Sequence, residues 1–284
     1  MLKIVHIKVH ALTPTHYRVD WEIEPTFEDP LDYTFRVMRS EAASGPYEYI
    51  SEPFEDKYFF IDSTVDMLTR ICRSFSYKIE VTSKKDPTQV EVFGPTDPSP
   101  PPDPIATEMR RQAMLIYKTV AGRRCWLFPV RTFGQRCPEC WDRVTKRPIK
   151  TRCPTCYDTT WARGYMNPME VWVQFEPTPK QMLNNQIRVE KMQDQVAHLG
   201  YYPEVKPLDM LVEPEGTRWI VTRVQGAERL RAKVRQTVVM DELEAGHIGY
   251  DVPVNYSDIL SDDFCNPFLM RPQRSLGQGV QWGS

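Results

Sequence analysis

The chain has 284 residues, a formal net charge of −2, and 41% hydrophobic and 26% charged residues. That is ordinary globular material, long enough for two or three domains. It holds no apolar run of about 18 residues, which excludes a membrane-spanning helix. Met1 to Leu12 alternates apolar and polar residues where a secretory signal needs an unbroken apolar stretch.

The pattern predicts a mainly β protein. Residues 1–95 give seven short strands with period-two alternation: Lys3 to Leu12, Thr15 to Ile23, Tyr33 to Ser40, Tyr47 to Ile50, Tyr58 to Ile61, Phe75 to Val81 and Gln89 to Phe93. Turn signals such as Ser44-Gly-Pro46 separate them, the spacing of a β-sandwich. Trp21, the run from Tyr33 to Tyr49, and Tyr77 four residues before Val81 resemble the fibronectin type III family. The resemblance places Trp21 in the core of the second strand and Tyr77 on the sixth, at a corner closed by a bond to backbone. It implies a contact-making module with no chemistry of its own. His6 and His10 share a strand face, with His16 nearby, and read as ordinary strand histidines, since no carboxylate or cysteine completes a ligand set.

Residues 96–104 form a proline-rich linker: six prolines fall among the eleven residues from Gly94 to Pro104, a stiff, polyproline-like joint. Asp103 then stands as an N-cap with Pro104 at the first helical position. A helix is predicted over 105–122, with Ile105, Met109, Ala113, Ile116 and Val120 as the stripe that packs, ending at Gly122. Arg110, Arg111 and Lys118 fall off that stripe and are expected to face water, a subunit or phosphate.

Residues 123–168 carry the strongest signal. Cys137-Pro-Glu-Cys140 is followed after twelve residues by Cys153-Pro-Thr-Cys156, and paired Cys-x-x-Cys knuckles at this separation supply the four thiolates of a tetrahedral Zn²⁺ site. The expectation is a zinc ribbon whose metal is structural, because four protein ligands leave no position for water or substrate. The competing reading is a disulfide, or four free thiols. The remaining cysteines, Cys72, Cys125 and Cys265, are scattered and odd in number, which favours a reducing compartment and buried apolar roles. From Arg123 to Arg163 there are ten Lys/Arg against three acids, interleaved with Trp141, Tyr157, Trp161 and Tyr165. That composition suits a charged protein interface or, as the alternative, phosphate and base contacts to nucleic acid.

Residues 169–254 predict an antiparallel β-barrel, with strands at Met169 to Phe175, through Gln186 to Leu199, from Val205 to Val212, at Thr217 to Val224 and from Leu230 to Leu243, and Trp219 inside. Asp209 before an apolar pair, Arg218-Trp-Ile-Val-Thr-Arg-Val224, Arg235-Gln-Thr-Val238 and Val252-Pro-Val254 resemble the small barrels of tailed-bacteriophage neck proteins. The resemblance implies a virion subunit made in the host cytoplasm. It would form a homo-oligomeric ring at the head-to-tail connector between portal or adaptor and tail proteins, working by surface complementarity, with no membrane partner.

Residues 255–284 lose periodicity and read as an extended C-terminal arm. Phe264, Phe268, Leu269, Met270 and Trp282 are costly to leave in water. From Asp241 to Met270 there are seven acids and no Lys or Arg, so the arm is expected to meet the basic ribbon lobe of another copy. The five histidines stand apart from any Ser or Cys partner, and the chain shows no phosphate loop, nucleophile elbow or His-Glu-x-x-His helix. The reading is therefore of a structural protein and not an enzyme, with a zinc-ribbon nucleic-acid-binding protein as the alternative.

Overall fold

The structure is a computed structural model that describes residues 2–13, 15–26, 29–65, 75–98, 103–177 and 195–254, together with the backbone of 182–185 and 188–191. Residues 99–102 of the proline run, Cys72, Cys265 and the arm of residues 255–284 lie outside the described residues. Among those described, no helix is long and apolar enough to cross a membrane.

The first module is a two-sheet sandwich. Strands β1 (Ile4–Ala11), β2 (Tyr17–Ile23) and β5 (Phe59–Asp62) form one sheet; β3 (Tyr33–Ser40), β4 (Glu48–Tyr49), β6 (Ser76–Ser83) and β7 (Val90–Thr96) form the other, in the order β4-β3-β6-β7. This three-plus-four division is the β-sandwich that the alternation predicted, in the arrangement that the fibronectin type III resemblance implied. Trp21, Phe35, Val37, Tyr77 and Ile79 come from the inward positions of β2, β3 and β6 and are almost wholly buried. Tyr77 departs from the family's corner: its hydroxyl donates to the carboxylate of Asp62 at 2.9 Å instead of to backbone. Asp62 is itself buried and also takes Arg39 Nη1 at 2.7 Å, so one buried charge is met by several donors.

Asp103 caps α1 (Pro104–Ile116) through a 2.9 Å bond from Ile105 N–H. One wide turn, 117–121, closes with Gly122 N–H on Tyr117 C=O at 2.9 Å. The helix is where predicted, but its buried face is turned: of the predicted stripe only Ala113 packs, at the edge of the cluster of Leu12, Met114, Tyr117, Tyr201 and Tyr202. Ile105, Met109, Ile116 and Val120 are 55%, 44%, 52% and 83% exposed. The side that packs is Ala106, Arg110, Met114 and Tyr117. Ala106 is small enough to sit on Ala232 and Val234, and Met114 Sδ lies where a β-carbon on Gly200 would be, 2.2 Å away. Arg110, expected to face water, a subunit or phosphate, is buried within the chain: Nε donates to Lys233 C=O at 2.7 Å, and Nη1 to the carbonyls of Ala11 and Leu12 at 3.0 and 3.1 Å. Carbonyls at strand ends need donors once buried, and a guanidinium supplies several in one plane. That requirement overrides the apolar stripe.

The second module is a closed barrel. Its strands are β8 (Arg123–Phe128), β9 (Met169–Phe175), β12 (Gln195–Gly200), β13 (Met210–Val212), β14 (Arg218–Arg229) and β15 (Ala232–Glu242), in the order β12-β15-β14-β13-β8-β9; β10 (Met182–Asn185) and β11 (Arg188–Lys191) pair as a hairpin between β9 and β12. Leu127, Val173, Ala197, Val221, Val238 and Met240 fill the barrel. Strand β8, grouped by sequence with the ribbon, is hydrogen-bonded to both β9 and β13. Barrel closure needs this strand, since without it β9 and β13 would each present an unpaired edge. The cysteine-bearing segment is thus an insertion between two neighbouring barrel strands. Trp219 is only half-buried: it stacks on Phe175 and donates Nε1–H to Glu213 at 2.7 Å.

The modules are docked on one another. Arg18 of the sandwich stacks on and hydrogen-bonds to Tyr202, and Lys206 reaches Glu22 at 3.5 Å. Between them lies a cleft of about 590 Å³ lined by His6, Lys8 and His10 on the outward face of β1.

Candidate metal centre

The segment between β8 and β9 has little apolar material of its own. What is buried at its centre is Cys137, Cys140, Cys153 and Cys156, each at most 1% exposed. Each knuckle turns back through its own backbone: Trp141 N–H donates to Cys137 C=O at 3.2 Å, and Tyr157 N–H to Cys153 C=O at 2.9 Å. The knuckles are joined when Ile149 N–H reaches Cys140 C=O at 2.8 Å and Cys137 N–H reaches Thr160 C=O at 3.0 Å. Gly164, at φ +66°, closes the loop against Cys156, whose carbonyl oxygen is 2.7 Å from where a β-carbon would stand.

All four Sγ atoms lie within 4.8 Å of one another. Cys137 and Cys153 Sγ are 3.8 Å apart, and Cys140 and Cys156 Sγ 3.4 Å apart. A disulfide needs about 2.05 Å. A tetrahedron of thiolates about 2.3 Å from a central ion has edges of about 3.8 Å. The donor set therefore has the chemistry and dimensions of a metal site, and the disulfide reading does not fit it.

Electrostatics point the same way. Burial pushes the Cys156 thiol up to about 11 and raises Cys140 further, helped by the neighbouring thiols. Cys153 is the exception. Burial opposes its charge too, but the N–H groups of Thr155 and Cys156 outweigh it and hold the thiol below its ordinary value. Thiolates this close and this dry need a cation among them. The backbone around the second knuckle carries its own cost: Arg152, Tyr157, Asp158, Thr160 and Arg163 all have φ between +49° and +67°. Such conformations are unfavourable for residues with a β-carbon and persist where something else holds the chain.

Neither a scan of protein-family models nor a search of curated proteins finds a match to this chain.

The aromatic residues singled out in the sequence serve the ribbon itself. Arg136 is held between the rings of Trp141 and Trp161, 4.1 and 3.6 Å from their centroids. Tyr157 and Tyr165 pack on the barrel end formed by Trp126, Phe128, Met210, Val212 and Val252. Several of the basic residues are likewise engaged. Arg131 and Arg163 both bind Asp56 of the sandwich, and Arg152 donates to Gly246 C=O at 2.6 Å. Phe133 meets Tyr58 edge-on at 4.9 Å, and Thr26 pairs with Gln135. Asp56, Tyr58 and Thr26 were missed by sequence reasoning because nothing local marks them as partners of the ribbon.

The histidines do not gather. His6 and His10 line the cleft, where burial lowers His10. His16 bonds to Thr13 and Thr15 at 2.9 Å, His198 to Thr237 and Glu176, and His247 to Gly249 N–H. Among the described residues, the four cysteines are the one group of metal-ligating side chains close enough to share an ion.

Proposed function

We propose that this chain is a structural assembly protein in which Cys137, Cys140, Cys153 and Cys156 hold a structural Zn²⁺, and that it builds a homo-oligomeric ring in the neck of a tailed bacteriophage. In that setting it bridges portal-side and tail-side proteins of the virion and carries out no chemistry. Zinc suits an all-thiolate tetrahedral set, and four protein ligands close the coordination sphere.

The observation that carries this reading is the double docking of the ribbon. Both its ends are continuous with barrel strands, while Phe133, Arg131 and Arg163 seat it on Tyr58 and Asp56 of the sandwich. A metal-stapled lobe placed there locks two β modules into one block, which is what a ring subunit under load requires. The barrel resembles neck-protein barrels in the order of its motifs, and the sandwich supplies an outer contact module.

Electron microscopy of the purified protein tests it, together with gold-labelled antibody on phage particles. Closed rings and label at the collar are the expected result. Dispersed monomers and unlabelled particles would remove the assembly role. Contact with DNA is the second reading, favoured by the exposed basic tip of the ribbon between Arg143 and Arg152. With the aromatic rings turned inward, it would rest on phosphate contacts and show steep salt dependence.

A further inference from the structure

The tip of the ribbon, between Cys140 and Cys153, is exposed throughout residues 143–152, with Arg152 tied to Gly246 C=O and Lys150 3.8 Å from Glu139. It carries Arg143, Lys146, Arg147, Lys150 and Arg152 and no acid beyond Asp142. It also exposes two branched aliphatic side chains almost completely, Val144 at 89% and Ile149 at 72%. Asp142 is committed to the turn: its carboxylate accepts from the N–H groups of Val144 and Thr145 and from the Thr145 hydroxyl. A basic loop bearing aliphatic knobs suits an acidic, apolar peptide and suits bare phosphate less well.

We propose that the tip is the docking site for residues 255–270 of the same molecule. This segment has Asp258, Asp262 and Asp263, no Lys or Arg, and the apolar residues Ile259, Leu260 and Phe264 interleaved with the acids. It matches the tip in charge and in apolar character. The place where the described fold ends selects the chain's own segment over that of another copy, which the sequence alone had favoured. Val254 packs on the same barrel-end cluster as Tyr157 and Tyr165 of the ribbon. The preceding loop is tied to the ribbon where Arg152 donates to Gly246 C=O. From Val254, the three aspartates are four to nine residues away, a reach of about 13 to 30 Å at ~3.3 Å per residue. Lys146 is six residues beyond Cys140, at most about 20 Å. The arm therefore starts at the end of the barrel on which the ribbon is seated, with chain enough to reach toward the tip, and an intramolecular partner has the advantage of high effective concentration. Docked there, it covers the basic surface that an external polyanion would use.

The test is zero-length carbodiimide crosslinking of full-length protein prepared from an equal mixture of light-isotope and heavy-isotope chains, read by mass spectrometry. Links from Lys146 or Lys150 to Asp258, Asp262 or Asp263 within chains of one isotope are expected. Mixed-isotope links would make a second copy the occupant and overturn the proposal, as would the absence of any such link. A second measurement uses the full chain with Asp258→Asn, Asp262→Asn and Asp263→Asn. Its heparin affinity should exceed, by about tenfold, that of a control with Glu48→Gln, Glu52→Gln and Glu215→Gln, because the control makes the same change in net charge without uncovering the tip. Equal affinities would overturn the proposal.

Discussion

Asp56 of the sandwich receives the guanidinium of Arg131, just beyond β8, through two parallel hydrogen bonds of 3.1 and 3.2 Å. Arg131 is buried, and Arg163 from the far side of the ribbon binds the same carboxylate. One acid thus gathers both ends of the insertion onto the first module.

Asp56→Ala leaves a buried guanidinium without its carboxylate. A wholly buried pair broken in this way costs about 3–5 kcal/mol. Asp56 keeps 22% side-chain exposure, so the expected loss is smaller, about 2 kcal/mol. Urea denaturation followed by tryptophan fluorescence measures it. A single transition is expected to broaden or split as the sandwich comes away from the ribbon and barrel. An unchanged midpoint would mean that the other contacts between the modules, Phe133 on Tyr58 and Arg18 on Tyr202 among them, carry the docking without this carboxylate.

Removing the metal should have a larger effect. With Zn²⁺ bound, its affinity offsets both the buried thiolates and the left-handed backbone of Arg152, Tyr157, Asp158, Thr160 and Arg163. Elemental analysis of native protein should find one zinc per chain. Chelation, or Cys156→Ser, should lower stability by on the order of 5 kcal/mol. A melting curve indifferent to chelator would rule out the structural-zinc assignment.

Asp209 predicts a pH dependence. It is buried, and burial raises its carboxyl to about 6 even though Val130 and Lys206 N–H groups donate to it at 2.9 and 2.7 Å. In the unfolded chain it titrates near 3.9. Between these values the folded protein binds more protons than the unfolded one, so stability falls as pH rises through the window and levels off above about 6. At ~1.4 kcal/mol per unit, the contribution is about 3 kcal/mol. Asp209→Asn has no carboxyl to titrate. The stability difference between it and the parent chain should shift by that amount between pH 4 and 7, and a constant difference would refute the assignment.

Two kinds of information were legible in the sequence. Period-two alternation gave the strands of both modules, because each strand buries one face. The four cysteines gave the candidate metal centre, because they lie within twenty residues of one another. The joints were not legible. Asp56 and Arg131 are 75 positions apart, and β8 closes the barrel on β13 only because distant strands bring their edges together. The tyrosine partner was misjudged for the same reason, since Asp62 comes from another strand. The helix shows the limit most clearly: its period was visible in Ile105, Met109 and Ile116, but which side packs depends on carbonyls contributed by Ala11, Leu12 and Lys233.

That reversal supplies the last prediction. Arg110→Met keeps the length and apolar stem of the side chain but removes the donors to three backbone carbonyls. Those carbonyls belong to the sandwich and to β15, so the change should loosen both from the helix and cost about 3 kcal/mol. Val120→Ser alters a side chain that is 83% exposed, and should stay within about 0.5 kcal/mol. If packing followed the apolar stripe, the order would be reversed. Paired urea titrations at two protein concentrations decide the matter: a large, concentration-dependent cost for Val120→Ser would show that the stripe is covered by a second copy in solution, whereas a cost confined to Arg110→Met, independent of concentration, is what the buried guanidinium requires.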